Sequence, residues 1–132
     1  MGFFTALTSR YSRQCETKEN HVDEQLRTHY YKAKAEQALN VIEELYSDKK
    51  RFTIKSVSRD RGEIFVESNS SPKLSIVATC ISVKPFEIAV DFTVSTDNLS
   101  LTGIYSQLRQ QVTRAYDTLN QSFTYTGSGK NA

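Results

Sequence analysis

His21 and His29 stand eight residues apart with Asp23 and Glu24 between them, and these are the side chains whose types first suggest metal or acid–base chemistry. Their spacing matches neither HExxH, in which one helical turn brings two imidazoles to one ion, nor a zinc finger, which needs cysteines close in sequence. No metal site and no cofactor is expected. Cys15 and Cys80 lie far apart and form no CxxC pair, and Cys80 sits inside an apolar strand pattern, as a buried thiol acting as a small hydrophobe. The chain contains no GxGxxG, GxxxxGK[ST] or GxSxG sequence, and no catalytic residue is assigned. Asp91 and Glu67 alternate with apolar residues, which is the pattern of a strand's solvent side.

Two other groups of side chains are candidates for binding. Lys49, Lys50, Arg51, Lys55, Arg59 and Arg61 form a basic cluster interrupted by Asp48 and Asp60. If a helix end and a hairpin turn meet there, several of these cations converge on an anion. The cluster has no interleaved aromatic platform for nucleobases, so a solvated face is the competing reading. Phe3, Phe4, Leu7 and Tyr11 lie close to one helical face with Arg10 and Arg13 behind them, the pattern of a short membrane-surface segment. Two cations on about three turns give weak attraction to anionic lipid. Ala6 stands where a myristoylation signal needs Ser or Thr.

Composition narrows the class. The 132 residues carry 38% apolar and 24% charged side chains, with seven Tyr and seven Phe, which is enough for one core of a single domain. A net charge of +2 falls short of the footprint left by phosphate-backbone binding. No run approaches the ~20 apolar residues of a spanning helix, and the opening lacks the basic and apolar regions of a secretory signal. A reducing, cytoplasmic setting is expected.

Hydrophobic periodicity then places the elements. Residues 1–25 read as an N-terminal arm, and residues 126–132 as a fraying tail. Between them, residues 26–125 read as one domain. Thr28, Tyr30 and Tyr31 suit an extended segment. Tyr31, Ala35, Ala38, Leu39, Ile42, Leu45 and Tyr46 recur at helical spacing. From Phe52 the period becomes two: Phe52 to Lys55 and Ile64 to Val66 form a hairpin through Arg59-Asp60-Arg61-Gly62, and strands follow at Leu74–Val83 and Phe86–Val94. Pro85 cannot adopt the positive φ of a primed turn, so a longer loop or a bulge is expected between the last two strands. Leu101, Ile104, Leu108, Val112, Ala115 and Leu119 mark a second helix.

The resulting fold class is α+β: an antiparallel four- to five-stranded sheet with two helices on one face, in the order β-α-β-β-β-β-α. If Ile64, Val66, Ile76, Ala78 and Cys80 face the helices, then Phe65, Val77, Ile81 and Val83 project from the second face. Burial of such side chains is worth about 1.5–3 kcal/mol each, so that face is expected to be covered. The arm, a second copy in a homodimer, another protein partner and a ligand are the candidate covers. The leading expectation is a non-catalytic binding or self-association module. A cleft between the sheet and the second helix, near Tyr105 and Tyr116, and membrane-surface attachment are the rivals.

Thr28-His29-Tyr30-Tyr31-Lys32, Arg61-Gly62-Glu63-Ile64 and the run from Val77 to Phe86, continuing through Ala89 to Val94, resemble an uncharacterised family of small cytosolic proteins from low-GC Gram-positive bacteria. The resemblance covers most of residues 26–125. It implies a compact domain in the cytosol and brings with it no known activity or catalytic residue.

Overall fold

The alternation that begins at Phe52 builds four consecutive antiparallel strands: β3 (Phe52–Ser58), β4 (Glu63–Ser68), β5 (Leu74–Lys84) and β6 (Glu87–Thr96). The computed structural model describes residues 14–97 and 104–130. Ahead of these strands come β1 (Gln14–Glu16), a 3-10 turn (Glu24–Leu26), β2 (His29–Lys32) and α1 (Ala35–Leu45). After them come α2 (Ile104–Ser122) and β7 (Thr124–Ser128). The seven strands form one antiparallel sheet in the order β3-β4-β5-β6-β2-β7, and β1 also pairs with β6.

Both helices pack on one face. Ile64 and Val66 on β4, Ile76, Ala78 and Cys80 on β5, and Ile88, Val90, Phe92 and Val94 on β6 are buried there. Ala38, Leu39 and Ile42 of α1 meet them, as do Leu108, Val112, Ala115 and Leu119 of α2. The α+β class and the one-sided helices agree with the sequence reading. The strand count rises from four or five to seven because β1 and β7 carry no alternation of their own. Each is held by neighbours: Cys15 pairs with Val94, and Tyr125 with Tyr31.

Three boundaries are corrected. Tyr31 fits the helical stripe by spacing, yet it belongs to β2 opposite Ile88, and α1 begins at Ala35. Residues 14–25 are not wholly an arm, since β1 joins the sheet. Residues 124–128 form β7 rather than part of a fraying tail, and Lys130 pairs with Glu87 at 2.8 Å. The candidate membrane residues Phe3, Phe4, Leu7 and Arg10 lie outside the described residues. Among those described, no helix is long and apolar enough to cross a membrane.

The chain between β1 and β2 makes a closed excursion from the edge of β6. Asp91 Oδ1 accepts hydrogen bonds from Thr17 Oγ1 and Thr28 Oγ1, both at 2.6 Å, pinning the two ends together. Lys18 N–H donates to Leu26 O, and Thr28 N–H to Lys18 O. Burial raises the Asp91 pKa, and the two threonine hydroxyls oppose that rise. The tip of the excursion is fixed to α2 by Arg109, which bonds Asp23 at 2.8 Å and Gln25 at 2.8 Å. This excursion supplies one wall of the cleft described below.

The β5–β6 connection resolves the proline question. Lys84 pairs with Glu87, so Pro85 and Phe86 make a two-residue turn, with the register shifted between Ser82 and Lys84. Phe86 has φ +61. Proline followed by a positive φ suits a type II turn, and the bulge absorbs the mismatch in strand twist.

Candidate functional site

β2 carries His29 and Tyr31 on the face shared with the helices and Tyr30 on the other, because side chains alternate along a strand. α2 presents Thr113, Tyr116, Asp117 and Asn120 at i, i+3, i+4 and i+7, which sets them on one side of the helix over β2. β7 adds Tyr125 and Ser128, and the 3-10 turn adds Glu24 and Gln25. Together they line a cleft of about 550 Å³.

His29 is buried in it, with 8% of its surface exposed. The imidazole stacks on Tyr116 with ring centroids 3.6 Å apart and meets the edge of Tyr125 at 5.2 Å. Tyr31 Oη donates to Asn120 Oδ1 at 2.6 Å, so its oxygen is left to accept from His29 Nδ1–H at 3.1 Å. That relay places the ring proton on Nδ1 and leaves Nε2 as an acceptor. Among the described residues no solvent-sealed side-chain nitrogen or oxygen lacks a partner, so Nε2, which has no protein partner, opens on the cleft.

Electrostatics keep the ring neutral. Burial lowers the His29 pKa to about 4, against a smaller opposing pull from the Asp117 carboxylate. Burial also pushes the Tyr31 and Tyr116 phenols upward. Tyr116 donates its own proton to the Val90 carbonyl at 2.7 Å, which fixes the ring on which His29 rests.

His21, the other histidine, sits on the β1–β2 excursion, where its Nδ1 accepts from the Asp23 backbone N–H at 3.0 Å. Among the described residues no three His, Cys, Asp or Glu side chains converge to hold a metal ion. Cys15 and Cys80 are both buried and free, and burial raises both thiols, that of Cys80 to about 12. Tyr105 lies apart from Tyr116, bonded to Cys15 at 3.7 Å, and does not line the cleft.

The basic cluster divides along different partners. Arg59 bonds Asn40 and pairs with Glu43 at 3.0 Å, so the helix and hairpin do meet, but through a carboxylate. Lys55 pairs with Glu67, and Arg51 lies over the Phe52 ring. Lys49, Lys50 and Arg61 are not drawn into a common cradle by any described hydrogen bond or ion pair.

On the second sheet face Phe65 pairs with Val77 and both are half-buried. Ile81 is 54% exposed and Val83 41%, beside Phe86 at 66%. Tyr30 on the same face is buried under Lys130, which lies 5.0 Å from its ring centroid, and its hydroxyl bonds Glu19. A groove of about 460 Å³ along this face is lined by Lys55, Glu67, Lys73 and a row of serines and threonines, with no buried titratable group.

Sequence reasoning placed Tyr116 near a cleft but missed His29, Asp117, Asn120 and Tyr125 as its companions. The signal available was the polar row at 113, 116, 117 and 120 beside the apolar stripe of α2. No protein-family model matches the chain, and no curated protein is found to be similar to it.

Proposed function

We propose that the chain is a non-catalytic binding module that holds a small polar ligand in the cleft between β2, β7 and α2. The observation that carries this reading is a histidine nine-tenths buried whose Nε2 has no protein partner and faces open space. An acceptor open to the cleft is met by water until a ligand N–H or O–H takes that water's place. Binding is favoured over catalysis because His29 is oriented by a phenol and an amide rather than a carboxylate. Such a relay fixes the tautomer without raising basicity, and a ring with pKa about 4 is a poor proton acceptor at neutral pH. Nitrogen-15 NMR with a library of polar fragments tests the reading. Shifts are expected to cluster at His29, Asp117, Asn120 and Tyr125. A library that leaves those signals unmoved at millimolar concentration removes it.

A second reading, self-association through the open sheet face, is favoured by one observation. Phe86 is a large exposed aromatic in the left-handed region, in the turn that follows the β5 strand carrying exposed Ile81 and Val83. Non-glycine residues in that region cost about 1–2 kcal/mol, so Phe86→Gly should stabilise the monomer by about 1 kcal/mol in urea unfolding. If the face joins two copies, light scattering at high concentration should give a doubled mass that Ile81→Asp and Phe86→Gly both restore to that of a monomer. A monomeric wild type at high concentration rejects this reading.

A further inference from the structure

We infer that the group bound in the His29 cleft is a planar organic cation of the amidinium or guanidinium class. The inference rests on the cleft being a ligand site and names the chemistry of its occupant.

The hydrogen-bond roles point first to a donor. Because Tyr31 Oη gives its proton to Asn120, the relay commits the His29 proton to Nδ1, and the cleft is offered a lone pair at Nε2. An anion brought to that nitrogen would meet acceptor against acceptor. A ligand N–H satisfies it.

Charge selects a cation among donors. The carboxylates of Asp117 and Glu24 line the cleft, and no lysine or arginine does. Of the two arginines on α2, Arg109 is already bonded to Asp23 and Gln25, and Arg114 is exposed and does not line the cleft. Neither carboxylate is joined to a cation by an ion pair among the described residues, so the charge bordering the cleft favours a cation over an anion.

Shape selects a planar cation. Tyr125 is 46% exposed and stands edge-on to the stacked His29–Tyr116 pair, so an aromatic surface borders the cleft beside the acceptor. A flat delocalised cation can lie against a tyrosine ring and still direct an in-plane N–H to Nε2 and another to a carboxylate. A bare metal ion fits less well, since among the described residues no three ligating side chains converge.

Three probes of one shape test this: benzamidinium, neutral benzamide and anionic benzoate, titrated into the full chain at fixed pH and salt, with nitrogen-15 shifts as the readout. Benzamidinium is expected to bind at least tenfold more tightly than benzamide, with benzoate weakest and the shifts centred on His29 and Asp117. Asp117 is exposed, so Asp117→Asn should fold and should bring benzamidinium to within about twofold of benzamide. His29→Phe, which keeps an aromatic ring on Tyr116, should weaken benzamidinium at least tenfold. Equal binding of benzamide and benzamidinium, or tighter binding of benzoate, overturns the cation while leaving the cleft a ligand site. If none of the probes moves the His29 signals, and the fragment library does not either, the cleft reading falls with it.

Discussion

Acidification from pH 7 to pH 4 should cost the folded chain about 3 kcal/mol through His29 alone. The ring's pKa is about 4 in the fold and takes its ordinary value of 6.5 when the chain unfolds, and each unit of difference is worth about 1.4 kcal/mol. Between those values the unfolded chain binds the proton and the folded chain does not, so stability rises with pH across the window. The contribution is fully present above about 6.5, fades as pH falls, and has gone by about 4. The groups facing the ring are Tyr31 from β2, Tyr116 and Asp117 from α2, and Tyr125 from β7. Of these only Asp117 favours the imidazolium, and burial outweighs it. Burial also lowers the His21 pKa and raises that of Asp91, so other groups contribute to the pH dependence. The measurement is therefore a difference. Urea midpoints of the wild type and of His29→Phe should converge or cross as pH is lowered, because the phenylalanine variant lacks this proton-linked loss. Parallel pH profiles for the two proteins would show that His29 is not held neutral by the fold.

Gly62→Ala should destabilise the chain on the order of 3 kcal/mol, by two costs acting at one position. Gly62 has φ +66, where an alanine loses about 1–2 kcal/mol to contact between its Cβ and its own backbone. A Cβ built there would also stand inside contact distance of the Cys80 carbonyl oxygen, and that neighbour is backbone rather than the flexible end of a side chain. Retreat is restricted because the Gly62 carbonyl accepts from Cys80 N–H at 2.7 Å, locking the β3–β4 turn to the middle of β5. Relief of the clash therefore breaks that bond or shifts the turn. Arg61→Ala, one residue earlier and exposed, should change stability by no more than about 0.5 kcal/mol and serves as the control. Thermal unfolding should separate the two variants by roughly 10 °C. A Gly62→Ala protein that melts with the wild type would mean that the turn relaxes freely.

The readable parts of this fold were those with their own hydrophobic period. Ile88, Val90, Phe92 and Val94 alternate with polar residues over a full strand, and Leu108, Val112, Ala115 and Leu119 recur at helical spacing, so burial of one face follows from the residue types. Tyr31 shows how such reasoning fails. It lies in phase with the α1 stripe, and only pairing with Ile88 on one side and Tyr125 on the other decides that it is a strand residue. β1 and β7 were illegible because three to five mostly polar residues carry too short a pattern. Their extended form comes from the backbone groups that β6 and β2 leave to be paired.

The candidate site divides in the same way. Its raw materials were visible as residue types, among them a histidine next to a tyrosine pair and a helix with a polar row beside its core stripe. What no spacing rule contains is the relation between them: His29 and Asn120 are joined through Tyr31 only because the strand and the helix cross there, and Tyr125 reaches them from the far end of the chain. The sequence by itself determined that an antiparallel sheet would present one oily face to two amphipathic helices, since period and polarity are local properties. Tertiary structure alone decided that His29 would be buried, neutral and open at one nitrogen. Desolvation and hydrogen-bond direction depend on neighbours distant in the chain.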